Sequence, residues 1–138
     1  MPRKDTQGDD LDMPHTPGRP LHLRIALNAD IAIGPGKADL LEGIRETGSI
    51  AAAGRSMRMS YKRAWSLVEA MNSAFREPVV ETARGGNARG GATLTETGDA
   101  VLAAYRRMTK AAEDAVAPEV ETLKAMLSPV AGSDDERD

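Results

Sequence analysis

The chain contains no cysteine and only two histidines, His15 and His22. The first absence excludes disulfides and thiolate metal sites, and the second excludes a histidine-rich zinc centre. Without those residues no Ser/His/Asp, Cys/His or metal-ligand set can be assembled, so neither an enzyme nor a cofactor is expected. No apolar run is long enough to cross a bilayer. The charged, proline-rich N-terminus is not a secretory signal, and the expectation is a cytoplasmic protein with no membrane partner.

What is present is distributed unevenly. The net charge of −3 over 138 residues hides a basic middle. Residues 43–110 hold eleven Lys/Arg against six Asp/Glu, whereas residues 111–138 hold two against eight. A basic body with acidic flanks suits a nucleic-acid binder with solvated tails. Residues 1–20 carry four prolines and few apolar groups, and residues 128–138 are acidic; both read as disordered tails. Residues 21–127 are left as one domain.

Within it, residues 21–27 alternate apolar and polar, which predicts a half-buried strand with His22 on its exposed phase. Residues 28–30 read as a turn and 31–33 as a short returning strand. Leu40, Leu41 and Ile44 then recur at helical spacing over 37–47, with Gly48 placed for a left-handed cap. The carboxylates of this helix, Asp39, Glu42 and Glu46, read as a solvated face.

The central stretch is residues 49–72. Ser49 is an N-cap candidate for a helix of small residues reaching about Met57. Arg58 stands where a tight turn often takes glycine, and Ser60 caps the next helix. Along that helix Tyr61, Ala64, Trp65, Val68, Met71 and Phe75 share one side, so the sole tryptophan reads as core. Lys62, Arg63, Ser66 and Glu69 lie off that side. Two short helices meeting at a tight turn, with cations and hydroxyls opening the second, are the elements of a helix-turn-helix DNA reader.

After Pro78 come two β-branched stretches, 79–82 and 92–94, separated by a glycine-rich segment with Arg84 and Arg89. This reads as a wing. A nucleotide-binding phosphate loop is excluded, because its glycines must run into Lys and Ser or Thr at a helix start. Thr95 is the N-cap of a long helix carrying Val101, Leu102, Tyr105, Met108, Ala112 and Val116. Pro118 is expected to interrupt or kink it before a further helical segment to Leu127. So much apolar helix suggests a dimerisation arm over about 95–127. The expected fold is therefore mainly α with small β: a winged helix-turn-helix with N-terminal strands and a long C-terminal dimerisation helix.

The residues go further. Gly48-Ser49-Ile50, Met59-Ser60-Tyr61-Lys62, Ala64-Trp65, Met71-Asn72, the glycine pairs 85–86 and 90–91, and Leu94-Thr95 with Gly98 resemble the N-terminal DNA-binding domain of the molybdate-responsive ModE regulators. Leu94-Thr95-Glu96-Thr97-Gly98 is similar to the LysR-type DNA-binding domain as well. The resemblance implies transcriptional DNA binding; the alternative readings are a winged-helix protein-interaction module, against which the basic first turn of the reading helix and the two wing arginines speak, and an oxyanion-responsive regulator. ModE regulators carry a C-terminal oxyanion-binding module for which these 138 residues leave no room, so molybdate sensing is not expected and the effector is unknown. Taken together, the expected partners are double-stranded DNA and a second copy of the chain. The candidate DNA contacts are Ser60, Tyr61, Lys62, Arg63, Ser66, Arg84, Arg89, Ser49 and Arg58. Arg106, Arg107 and Lys110 are candidate ligands should a small oxyanion bind at the dimer interface.

Overall fold

The computed structural model describes residues 21–83 and 91–129. The expected tail at 1–20, the expected tail at 128–138 from residue 130 onward, and Arg84 and Arg89 lie outside the described residues. The chain opens with β1 (Ile25–Ala26) and β2 (Ala32–Ile33), paired antiparallel with Ile25 opposite Ile33. Asn28 makes the turn between them, its Oδ1 accepting from the Asp30 and Ile31 amides at 2.8 and 3.0 Å. This local bond gives the backbone a turn in place of a ladder. The regular ladder is far shorter than the alternation over 21–27 predicts, because β2 offers only two partners.

Three helices follow: α1 (Pro35–Thr47), α2 (Ile50–Ser56) and α3 (Tyr61–Ala74). Proline at the start of α1 gives up an amide that has no helical partner there. Gly48 ends α1 at φ 74°, the left-handed cap expected of it, with its amide bonded to the Ile44 carbonyl. α2 and α3 pack closely because Gly54 has no side chain; a Cβ there would stand 3.0 Å from the Ala64 Cβ. Small residues at that crossing set the angle between the two helices.

The hairpin of β3 (Val80–Thr82) and β4 (Ala92–Leu94) pairs Val80 with Leu94 and Thr82 with Ala92. A bridge between Ser49 and Gly91, and a bond from the Ala92 amide to the Gly48 carbonyl, join the hairpin to the α1–α2 corner. One apolar core unites these parts. Leu40, Leu41 and Ile44 of α1 meet Leu67, Val68 and Met71 of α3, with Val79 and Val80 closing it.

The last element, α4 (Glu96–Ala125), sends Leu102 and Tyr105 into that core. The Tyr105 hydroxyl donates to the Leu23 carbonyl at 2.6 Å, fastening the N-terminal segment to the helix. The expectation that Pro118 interrupts the helix is corrected: α4 runs unbroken through it, at an exposed position where water can take the carbonyl that loses its helical amide partner. Along α4 the buried positions are Gly98, Leu102, Tyr105 and Thr109, and the helix beyond stands clear of the core.

Candidate nucleic-acid interface

The local chemistry of residues 57–63 builds the helix-turn-helix. Arg58 adopts φ 62°, the left-handed conformation of the turn, and the Met59 amide reaches the Gly54 carbonyl at 3.0 Å. Ser60 then caps α3, its Oγ accepting from the Arg63 amide at 3.0 Å. That bond uses one lone pair and leaves the hydroxyl hydrogen able to donate outward. Beyond the cap, Lys62 and Ser66 are exposed one helical turn apart on the same side. Arg63 is half-buried between that surface and the core side.

The core side of α3 differs from the predicted stripe. It consists of Ala64, Leu67, Val68 and Met71, while Trp65 and Phe75 are only partly buried. Tyr61 is 55 % exposed and leaves the core altogether. Its ring stacks on Trp65 with centroids 6.3 Å apart and planes 20° from parallel. The helical period admitted Leu67 as easily as Tyr61; the covered side centres on Ala64, Leu67, Val68 and Met71, and Tyr61 falls at its edge. Of the candidate contacts, Ser60, Tyr61, Lys62, Arg63 and Ser66 thus gather on the first half of α3, with exposed Arg58 at the preceding turn. Ser49 lies at the other end of α2, half-buried, its Oγ capping that helix through the Ala52 amide at 3.0 Å.

Sequence reasoning missed a polar fastening at the far end of α3. The Asn72 amide group accepts from the Val79 and Val80 amides at 2.8 and 3.1 Å and donates to the Val80 carbonyl at 3.0 Å. An asparagine eight residues before a β-branched pair carries no signal of this in the sequence.

The carboxylates of α1 are not simply solvated. Arg106 donates to Asp39 at 3.0 Å and also to Glu42. Partial burial disfavours the guanidinium charge, but hydrogen bonds and attraction from the two carboxylates outweigh it, and the Arg106 pKa is raised. Together with Glu46 and Met57 these residues line an open groove of acidic character. Lys110 is paired with Asp114 at 3.0 Å. Two of the three candidate oxyanion ligands are therefore already held by carboxylates, and these side chains form no oxyanion site within one protomer. Among the described residues, no group of three or more His, Asp or Glu is placed to hold a metal, and no helix is long and apolar enough to cross a membrane.

Helix, turn, capped helix, hairpin and long helix define a winged helix-turn-helix. The solved structure of the CbnR DNA-binding domain in complex with DNA has this fold: it superposes with a TM-score of 0.51 at 20 % identity, covering 63 % of this chain and 94 % of that one. The particular relatives are the ModE and Mop proteins, as the sequence resemblance leads one to expect. The molybdenum-pterin-binding protein MopB of Rhodobacter capsulatus is 49 % identical over 73 residues, 53 % of this chain and 27 % of that protein. The molybdenum transport protein ModE of Azotobacter vinelandii is 34 % identical over 113 residues, 80 % of this chain and 40 % of that protein. The DNA-binding transcriptional dual regulator ModE of Escherichia coli K12 is 34 % identical over 83 residues, 60 % and 32 % of the two chains. The similarity thus spans well under half the length of these relatives. No family model matches the chain.

Proposed function

We propose that this protein is a sequence-specific, DNA-binding transcriptional regulator that reads two half-sites as a homodimer. The observation that carries the reading is the α2–α3 corner. A left-handed turn at Arg58 and a capped helix start at Ser60 present Lys62 and Ser66 outward from a helix whose other side is core. Such a helix fits a major groove, where Lys62 or Arg63 can bond guanine O6 and N7. Ser60, Tyr61 and Ser66 are the remaining reading contacts, Arg58 meets backbone phosphate, and Ser49 supports the corner. Arg84 and Arg89, which lie outside the described residues, contact phosphates or the minor groove from the hairpin.

The distal part of α4 is the proposed dimer contact. Leu123 and Met126 are 61 % and 72 % exposed, more apolar surface than a lone helical arm has reason to present to water. Selection from a random duplex pool tests the reading directly. The expected outcome is a two-fold symmetric site with half-sites separated by about 34 Å or a multiple of it. Lys62→Ala together with Arg63→Ala should weaken binding at least tenfold, since each lost base contact is worth about 1–3 kcal/mol. Unchanged affinity in that double variant would mean that α3 is not the reading helix.

A further inference from the structure

The three Asn72 bonds pair backbone groups of the buried Val79 and Val80, and in doing so they tie the start of the hairpin to α3. Asn72 is half-buried on the last turns of α3, and all of its partners are backbone groups of the strand that opens the hairpin. An amide side chain that both accepts from two adjacent N–H groups and donates to one of the same residues fixes that strand in position and rotation. A second bond set continues the fastening. Thr95 Oγ1 donates to the Pro78 carbonyl at 2.7 Å, the Thr95 amide donates to the Val79 carbonyl at 3.0 Å, and the same Oγ1 caps α4 through the Gly98 amide. Gly98 keeps this junction closed, because a Cβ there would lie 2.1 Å from the Val79 carbonyl oxygen.

We propose that Asn72 is the positioning residue that locks the β3–β4 hairpin to the reading helix, so that α3 and the hairpin engage DNA as one rigid unit. The inference rests on the regulator reading given above. Asn72 itself does not touch DNA. It sets the angle at which the hairpin meets the duplex when α3 is seated. Removing it loosens the start of β3 against α3, although the Thr95 bonds and the Ser49–Gly91 bridge still hold the hairpin to α4 and the α1–α2 corner, and the entropy of refixing that junction then falls on the binding step. Contacts made by α3 survive; contacts made by the hairpin are weakened.

The test is a double-mutant cycle on the full chain, read as affinity for the selected operator across a salt series. Asn72→Ala should weaken binding about ten- to thirtyfold and reduce the salt slope by roughly two per protomer, since each phosphate contact contributes about 0.9 to that slope. In a background of Arg84→Ala with Arg89→Ala, adding Asn72→Ala should cost less than a further twofold, because the contacts it positions are already gone. A variant that only loses stability, with far-UV circular dichroism showing its folded fraction, leaves the slope of that fraction unchanged. Asn72→Asp retains the acceptor for both amides and should fall between wild type and alanine; it replaces alanine in the cycle if alanine does not fold. An unchanged slope, or losses that simply add to those of the arginine pair, overturns the positioning role. Failure of the wild type itself to retain any duplex would instead remove the regulator reading, and this role with it.

Discussion

At the scale of single residues, the helix-turn-helix corner trades stability against surface chemistry. Arg58 holds a left-handed conformation that costs a non-glycine residue about 1 kcal/mol. Arg58→Gly should therefore raise the melting temperature by a few degrees while weakening DNA binding several-fold through loss of a phosphate contact; the two measurements should move in opposite directions. Ser60→Ala should do the reverse to stability, costing about 1 kcal/mol by uncapping α3, which thermal denaturation will read. Both residues were legible in the sequence, since a serine at the start of an apolar period and a bulky residue at a tight turn carry local signals. Tyr61 was not. Its place follows from which side of α3 the rest of the body covers, which no local pattern encodes. The stack on Trp65 supplies a reporter: as the sole tryptophan, Trp65 should shift its emission to the red in Tyr61→Ala and respond to duplex in the wild type. An emission spectrum identical in both proteins would show that the stack does not form in solution.

At the scale of elements, the same distinction recurs between local and long-range causes. The end of α1 and the serine caps that open α2 and α3 could be read from serine, glycine and the 3.6-residue period because each depends on residues within one turn, whereas α1 starts at Pro35, two residues before the expected 37. The pairing of Arg106 with Asp39 and Glu42 joins residues more than sixty positions apart, and nothing near Asp39 announces a cation. The same holds for the Asn72 fastening. Pro118 does not interrupt α4, because its position is exposed and water can take the carbonyl freed by the missing amide. Because an interior proline still costs a helix about 3 kcal/mol relative to alanine, Pro118→Ala should stiffen the distal arm. Amide exchange over residues 119–125 should slow by an order of magnitude or more. The melting of the core, which ends at Thr109, should not change.

At the scale of the whole molecule, the electrostatics must reconcile a net charge of −3 with the proposed polyanionic partner. The acidic residues that most oppose DNA are removed from the reading surface in two ways. Some lie in the acidic flanks, and Asp39 and Glu42 are spent on Arg106. Raising the pKa of an arginine has no consequence near neutrality. Its stabilising effect is fully present below the unfolded value and is lost only as pH rises through the still higher folded one, so the raised arginine gives no pH dependence near neutrality. Arg106→Ala should cost about 1 kcal/mol at low salt and less at high salt, because the pair is partly exposed and two carboxylates are left facing each other. DNA binding itself should fall steeply with salt. Three phosphate contacts per protomer, from Arg58, Arg84 and Arg89, give a dimer a slope of about −5, or a loss of roughly 10³ in affinity between 50 and 200 mM salt. The dimer enters this number as a factor of two. Replacing exposed Leu123 and Met126 with lysine should therefore halve the mass seen by light scattering, halve the salt slope and shorten the footprint to one half-site, all without altering the fold of residues 21–109. A variant that remains dimeric, or a wild type whose slope already matches one protomer, would place the two-fold contact elsewhere than the distal arm.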